Sequence, residues 1–284
     1  MSTSEMVLDR IGKNDLSEFM NLCKTVCDFD AEWFLNEATQ AKRYYRGSKE
    51  AKKDLRSLQE LEARWYQSLE DGQPDFSVYS GIEIVPDIWA CWSLFSRAYL
   101  KTISSPKSMS PDGIKEDMGA VTSIVDVGCG IGYSTASLKE MFPEANVCAT
   151  NLVGSVQFDI CTALAKQHGF TMHGDVHAMG MKEVDLIFAS EYFEHFQNPV
   201  EHLVTIIEEL HPRFLLIANA FTSISLGHFH EYLHQGRPYD GRAIGKIFNS
   251  TLRSYGYSKA KTNCWNNRPT YWRREKCYQD SLFT

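Results

Sequence analysis

Val121-Thr-Ser-Ile-Val-Asp-Val-Gly-Cys-Gly-Ile-Gly-Tyr133 decides the fold of this chain. Its β-branched start reads as a short strand buried in a parallel sheet. An acid, Asp126, ends the run, and Gly128, Gly130 and Gly132 follow at alternate positions. Glycines let a backbone turn sharply and approach a ligand closely. Directly after them, Tyr133 to Phe142 reads as a helix stopped by Pro143. The free amides at a helix start favour a negative group. Gly132 stands one residue too early for the dinucleotide fingerprint Gly-x-Gly-x-x-Gly.

Asp-x-Gly-x-Gly-x-Gly after a strand resembles motif I of the class I S-adenosylmethionine-dependent methyltransferases. The resemblance implies that Asp126, Gly128, Cys129, Gly130 and Gly132 seat the methionine half of that cofactor. It also implies a Rossmann-like α/β sandwich with a mostly parallel seven-stranded sheet, preceded here by a helical N-terminal extension. The next strand, Ala145 to Asn151, ends on an amide where most of the family carries an acid for the ribose hydroxyls. An amide still donates and accepts, without charge. Thr150-Asn-Leu-Val-Gly-Ser-Val-Gln157 is similar to a variant among methyltransferases of lipids, terpenoids and other small molecules, so Asn151, Leu152 and Gln157 are expected at the cofactor. The competing reading has Asn151 capping the following helix. The Gly174-Asp175 pair resembles the adenine site, with the Asp175 carboxylate and the Val176 amide as partners.

A fourth strand, Val184 to Ser190, leads into Glu191-Tyr-Phe-Glu194-His195. This segment resembles the Glu-x-x-Glu-His of ubiquinone-type O-methyltransferases and of enzymes that methylate the terminal 2′-hydroxyl of small RNAs. It is expected beside the transferred methyl group, at the carboxyl ends of the strands, together with Ser190. Three roles stay open for Glu191, Glu194 and His195. They fit a partial site for Mg²⁺ or Mn²⁺, completed by His228 or His230. Without metal, His195 is a general base. In the third reading the segment only anchors the loop. The Asp/Asn-Pro-Pro-aromatic and Pro-Cys segments of DNA methyltransferases are absent.

Pro199 to Leu210 carries the apolar stripe of an amphipathic helix, Arg213 to Phe221 a fifth strand, and Ala243 to Tyr255 another helix. Tyr257 to Cys264 and Pro269 to Lys276 are expected as antiparallel edge strands. The 284 residues divide into a helical region, 1–112, and a methyltransferase domain, 113–284. In the first, Ala51 to Tyr66 and Asp87 to Leu100 read as helices, and Ser104 to Gly113 as a polar linker. The region is a candidate substrate lid, with Trp89, Trp92, Phe95 and Tyr99 as either pocket wall or core.

With 43% hydrophobic residues the chain can bury a sizeable core, and it holds no apolar run long enough to span a membrane. Eight scattered cysteines without a CxxC pair, and an N-terminus without a secretory signal, point to a reduced, cytoplasmic protein. Twenty-nine basic against 36 acidic residues give −7, which disfavours a broad grip on polyphosphate. A local exception is Arg253, Lys259, Lys261, Arg268, Arg273, Arg274 and Lys276, interleaved with Trp265, Tyr271 and Trp272. That pattern is either a single-strand nucleic-acid platform or a solvated face over a packed one. The expected function is methyl transfer to a small-molecule hydroxyl. The rivals are a metal-dependent RNA 2′-O-methyltransferase and a non-catalytic cofactor-fold binding protein.

Overall fold

A computed structural model of the chain describes residues 16–104, 114–260 and 269–274. Seven strands form one sheet in the order β3-β2-β1-β4-β5-β9-β8. These are β1 (Ser123–Val127), β2 (Asn146–Thr150), β3 (Thr171–His173), β4 (Leu186–Ser190), β5 (Phe214–Ala218), β8 (Tyr257–Ala260) and β9 (Thr270–Arg274). The first five run parallel; β9 pairs antiparallel with both β5 and β8. The expected sheet and its antiparallel edge are therefore present, with shorter strands than the sequence runs suggested. A separate two-stranded hairpin, β6 (Tyr232–His234) and β7 (Arg237–Tyr239), was not anticipated.

Crossover helices cover the parallel strands: α7 (Tyr133–Met141), α8 (Val156–His168) and α9 (Pro199–Leu210), with α10 (Gly241–Ser254) before β8. Their ends follow capping chemistry. Ser155 Oγ accepts from the Phe158 amide and Asp240 Oδ1 from the Ala243 amide, while Pro199 opens α9 where no amide partner is needed. Asp185 ties the lower ends of β1 and β4 together. It accepts from the Thr122 amide at 2.7 Å and the Thr122 hydroxyl at 2.8 Å, and pairs with Arg213. These bonds hold its pKa below the usual value against the opposing effect of burial. Its stabilisation is thus complete above the unfolded carboxylate pKa and disappears as pH falls through the lowered native one. Asp185→Ala should cost about 1–3 kcal/mol, read as a shift of the urea midpoint at neutral pH.

The N-terminal region is helical as expected: residues 16–26 (α1), α2 (Ala31–Tyr45), α3 (Arg56–Glu70), α4 (Val85–Cys91), α5 (Arg97–Ser104) and the short α6 (Ile114–Met118). The helix expected from residue 51 is split. A 3₁₀ turn, Ala51–Asp54, precedes α3, and Leu55 is buried at the junction. The helix expected over Asp87 to Leu100 is interrupted by a π-turn, Trp92–Ser96, of the kind that often marks a functional site. Residues 105–113 of the expected linker, and Lys261, Cys264, Trp265, Arg268 and Lys276, lie outside the described residues.

The basic and aromatic cluster at the C-terminal edge is a packed face under a charged one. Tyr271 and Trp272 are buried, Arg253 and Lys259 lie over the Trp272 ring, Arg274 lies over Tyr257, and Arg273 pairs with Asp117. Those rings are not available for stacking on bases. No helix among the described residues is long and apolar enough to cross a membrane.

Candidate functional site

Strand order reverses between β1 and β4, and the carboxyl ends of two such neighbours bound a crevice. From β1 comes the glycine turn, and from β4 the Glu191–His195 segment. Gly128 has φ 66°, and a Cβ there would stand 2.2 Å from Cδ2 of Tyr192. The turn and the loop can therefore lie against each other only because this residue has no side chain. Asp126 is buried beneath them, its Oδ2 accepting from Ser134 Oγ (2.6 Å) and Thr135 Oγ1 (2.7 Å) at the start of α7. Burial pushes its pKa up to about 7, partly offset by those hydroxyls.

The remaining expected cofactor residues divide. Asn151 donates from Nδ2 to the Gly130 carbonyl (2.6 Å), and its Oδ1 accepts from the Leu152 amide. It thus joins the two loops, and Ser155, not Asn151, caps α8. Gln157 is buried and donates to the Tyr79 carbonyl, holding the N-terminal region against α8. Ser190 shares a hydroxyl contact with Ser96 at 3.2 Å. Asp175 is exposed and caps its own turn through the Ala178 amide. Neither Asp175 nor Val176 lines the cavity described below, although Gly174 does.

Glu191 adopts φ 52°, unusual for a residue with a side chain, and its amide donates to the Ala218 carbonyl. Glu194 is wholly buried; Oε1 accepts from the Ala220 amide at 2.8 Å, whereas Oε2 has no hydrogen-bond partner. Burial, reinforced by the neighbouring Glu191, raises its pKa well above the ordinary carboxylate range. Ligand atoms of Glu191, Glu194 and His228 lie within 4.8 Å of one another. His228 Nδ1 is held by the Ser223 carbonyl. The other two expected metal ligands do not join this trio, although the His195 ring lies 4.8 Å from that of His228. His195 Nδ1 is taken by the Tyr79 hydroxyl at 2.7 Å, and His230 is exposed, packed on the Tyr66 ring. Burial and the adjacent His228 push the His195 pKa down to about 3, so its imidazole is neutral. Gly227, with φ 78°, leaves room for Tyr79, whose hydroxyl would otherwise collide with a side chain.

Asp126, the glycine turn, Asn151, Gln157, Ser190, Glu191, His195 and His228 line one cavity of about 910 Å³, with Glu194 buried behind it. That volume is at the upper end of sites for small ligands. Its far wall comes from the N-terminal region: Tyr45, Phe76, Tyr79, Asp87, Ile88 and Cys91, with Trp92, Phe95 and Ser96 on the π-turn. Of the four aromatic candidates, Trp92 and Phe95 line the cavity, while Trp89 and Tyr99 are core. Tyr79, Asp87 and Asn219 were not singled out by the sequence. Asp87 follows Pro86 and reads as an ordinary first-turn acid. Asn219 follows the end of β5, and that position was its one available signal.

Residues 125–217 match the family described as a methyltransferase domain. A malonyl-[acyl-carrier protein] O-methyltransferase of Hahella chejuensis is 28% identical over 181 residues, 62% of this chain and 59% of the relative. The enzyme of the same name from Halalkalibacterium halodurans is 26% identical over 106 residues, 35% and 39% of the two chains. The chain thus spans between about two fifths and three fifths of these relatives' lengths. Among solved structures, the mitomycin 7-O-methyltransferase MmcR overlaps 68% of this chain and 57% of its own, at 13% identity and a TM-score of 0.45. The domain match begins inside β1 and ends in β5, the strands that build the glycine turn and the acidic loop. That match and this sheet order identify residues 125–217 as a methyltransferase domain set in a seven-stranded, mostly parallel sheet.

Proposed function

We propose that this methyltransferase carries the methyl group of S-adenosylmethionine to a hydroxyl of a small molecule held in the cavity. The Tyr79–His195 hydrogen bond, in the same cavity as the glycine turn, carries the reading. Asp126, Gly128, Cys129, Gly130 and Gly132 would seat the cofactor's methionine half. Asn151 and Leu152 would hold its ribose, with Gln157 and Ser190 fixing the walls, and the adenine would lie at Gly174, the one residue of the expected Gly174–Val176 site that lines the cavity. When bound, the cofactor supplies an activated methyl on a sulfonium. A hydroxyl oxygen that gains a methyl becomes a strong acid, so even a weakly basic imidazole accepts its proton. His195, neutral and fixed by Tyr79, fits that task, with Glu191 and Glu194 shaping the loop beside it. Holding the acceptor in line supplies much of the rate.

The substrate in the relatives' name is not carried over. A malonyl carboxylate would meet Asp87, Asp126 and Glu191, with no lysine or arginine among the described lining residues. The same charge, and the occupied rings at the C-terminal edge, count against RNA. The test is a calorimetric titration with S-adenosylhomocysteine. Binding by the wild type that Asp126→Ala removes supports the reading; a folded wild type that binds nothing overturns it.

One observation favours a metal variant of this mechanism. The unpartnered Glu194 oxygen beside Glu191 and His228 offers a mixed carboxylate and imidazole donor set that fits Mn²⁺ or Mg²⁺. A bound divalent ion would polarise the acceptor hydroxyl. Millimolar Mn²⁺ should then raise the melting temperature of the wild type and leave Glu194→Gln unchanged. Equal response of the two proteins removes the metal from the mechanism.

A further inference from the structure

The formal charge on the described lining of the cavity is negative. That lining holds three carboxylates, Asp87, Asp126 and Glu191, and no lysine or arginine. Asp126 is satisfied by its two hydroxyls and belongs to the glycine turn. Asp87 belongs to the lid. It lies one turn before Cys91 on α4, and its Oδ1 accepts from the Tyr45 hydroxyl at 2.6 Å. The Tyr45 ring meets Phe95 edge-on at 5.9 Å, and both rings line the cavity. Asn219 adds a buried carbonyl oxygen without a partner on the opposite, sheet-borne wall. Phe76 and Leu152, also in the lining, are among the few large apolar side chains left exposed.

Uncompensated negative charge, aromatic faces and idle acceptors together describe the partner they lack. A carboxylate desolvated beside aromatic rings is a binding site for a cation, because ring faces and the acid attract the same charge. An anion there would meet repulsion from these carboxylates and no cationic side chain among the described lining residues.

We propose that Asp87, beside the Tyr45–Phe95 ring pair, anchors a protonated amine, and that the methyl acceptor is therefore an apolar molecule carrying an ammonium group. This rests on the methyltransferase reading above. It makes Asp87 a specificity residue: the amine is held on the lid while the hydroxyl is presented to Tyr79 and His195. Burial raises the Asp87 pKa only to about 6, so the carboxylate is charged at neutral pH and above.

The cofactor also bears an ammonium, and the experiment separates the two sources. Phenethylamine and 2-phenylethanol differ only in the charged group and serve as probes, titrated at about pH 8 into the full chain saturated with S-adenosylhomocysteine. The wild type should bind the amine about tenfold more tightly than the alcohol, one charge-assisted hydrogen bond's worth of discrimination. Asp87→Asn should erase that preference and leave the cofactor affinity unchanged. Tyr45→Phe, which keeps the carboxylate, should retain it. Equal binding of the probes, binding of neither, or a preference that survives Asp87→Asn overturns the proposal. A tenfold loss of S-adenosylhomocysteine affinity in Asp87→Asn assigns the ammonium to the cofactor and overturns the acceptor assignment. Failure of the wild type to bind S-adenosylhomocysteine sinks the underlying reading instead.

Discussion

Asp126→Ala is expected to abolish binding of S-adenosylhomocysteine and to destabilise the fold by about 2–4 kcal/mol, since each buried hydroxyl left unpaired costs about 1–3 kcal/mol. Ser134 and Thr135 both donate to the same Asp126 oxygen, and all three residues are buried. The lower end is the better guide for the fold, because hydroxyls in a helix turn back to the carbonyl four residues earlier. Asp126→Asn keeps an acceptor oxygen for them. It should fold near normally and still bind the cofactor about tenfold more weakly, having no charge to offer its ammonium. The pair of variants separates loss of fold from loss of ligand.

The same residue makes a pH prediction. Burial raises the Asp126 pKa from 3.8 to about 7. Between those values the native state holds a proton that the unfolded chain releases. Its contribution to stability is complete below the unfolded pKa and is lost as pH rises through the native one, by at most about 1.4 kcal/mol per pH unit. Asp126→Asn has no such group. The stability difference, wild type minus variant, should therefore fall by about 2–3 kcal/mol between about pH 5 and about pH 8. Urea midpoints at the two pH values measure it, and a pH-independent difference would show that Asp126 is ionised throughout.

The parallel half of the fold was legible because its strands are short apolar runs, and each is followed by a turn whose chemistry announces itself. Val121 to Gly132 gave both strand and ligand loop, and Glu191 to His195 gave the facing loop. The N-terminal region was legible only as helices. Its π-turn at Trp92–Ser96 leaves the apolar spacing of the segment intact, so nothing in the spacing marks the extra residue that swings Phe95 and Ser96 into the cavity. Tyr79 was invisible for a different reason. It meets His195 across 116 residues of chain, and such a contact leaves no local pattern in the sequence. The metal ligands show the same limit. A run of three candidates within five residues suggested one cluster. The backbone instead turns Glu191 and Glu194 towards His228 and His195 towards Tyr79.

The long-range contact at Tyr79 can be tested through a residue that touches no ligand. Gly227→Ala is expected to cost about 2–5 kcal/mol, from about 1–2 kcal/mol of left-handed backbone strain and about 1–3 kcal/mol of overpacking. A Cβ at this position, with φ 78°, would lie 1.3 Å from the Tyr79 hydroxyl oxygen and 2.7 Å from His195 Nδ1. Tyr79 sits at the end of a 3₁₀ turn whose carbonyl is held by Gln157, so its ring has little room to retreat. Tyr79→Phe removes the colliding oxygen together with the bond to His195. The loss in the double variant should then be smaller than the sum of the two single losses by about 1 kcal/mol or more, as for residues in direct contact. Additive losses, measured by urea unfolding of the four proteins, would mean that Gly227 is required for its backbone conformation alone. Coupled losses would tie the N-terminal region to the His195 loop through this one contact, with the His195 imidazole oriented by a residue from the other half of the chain.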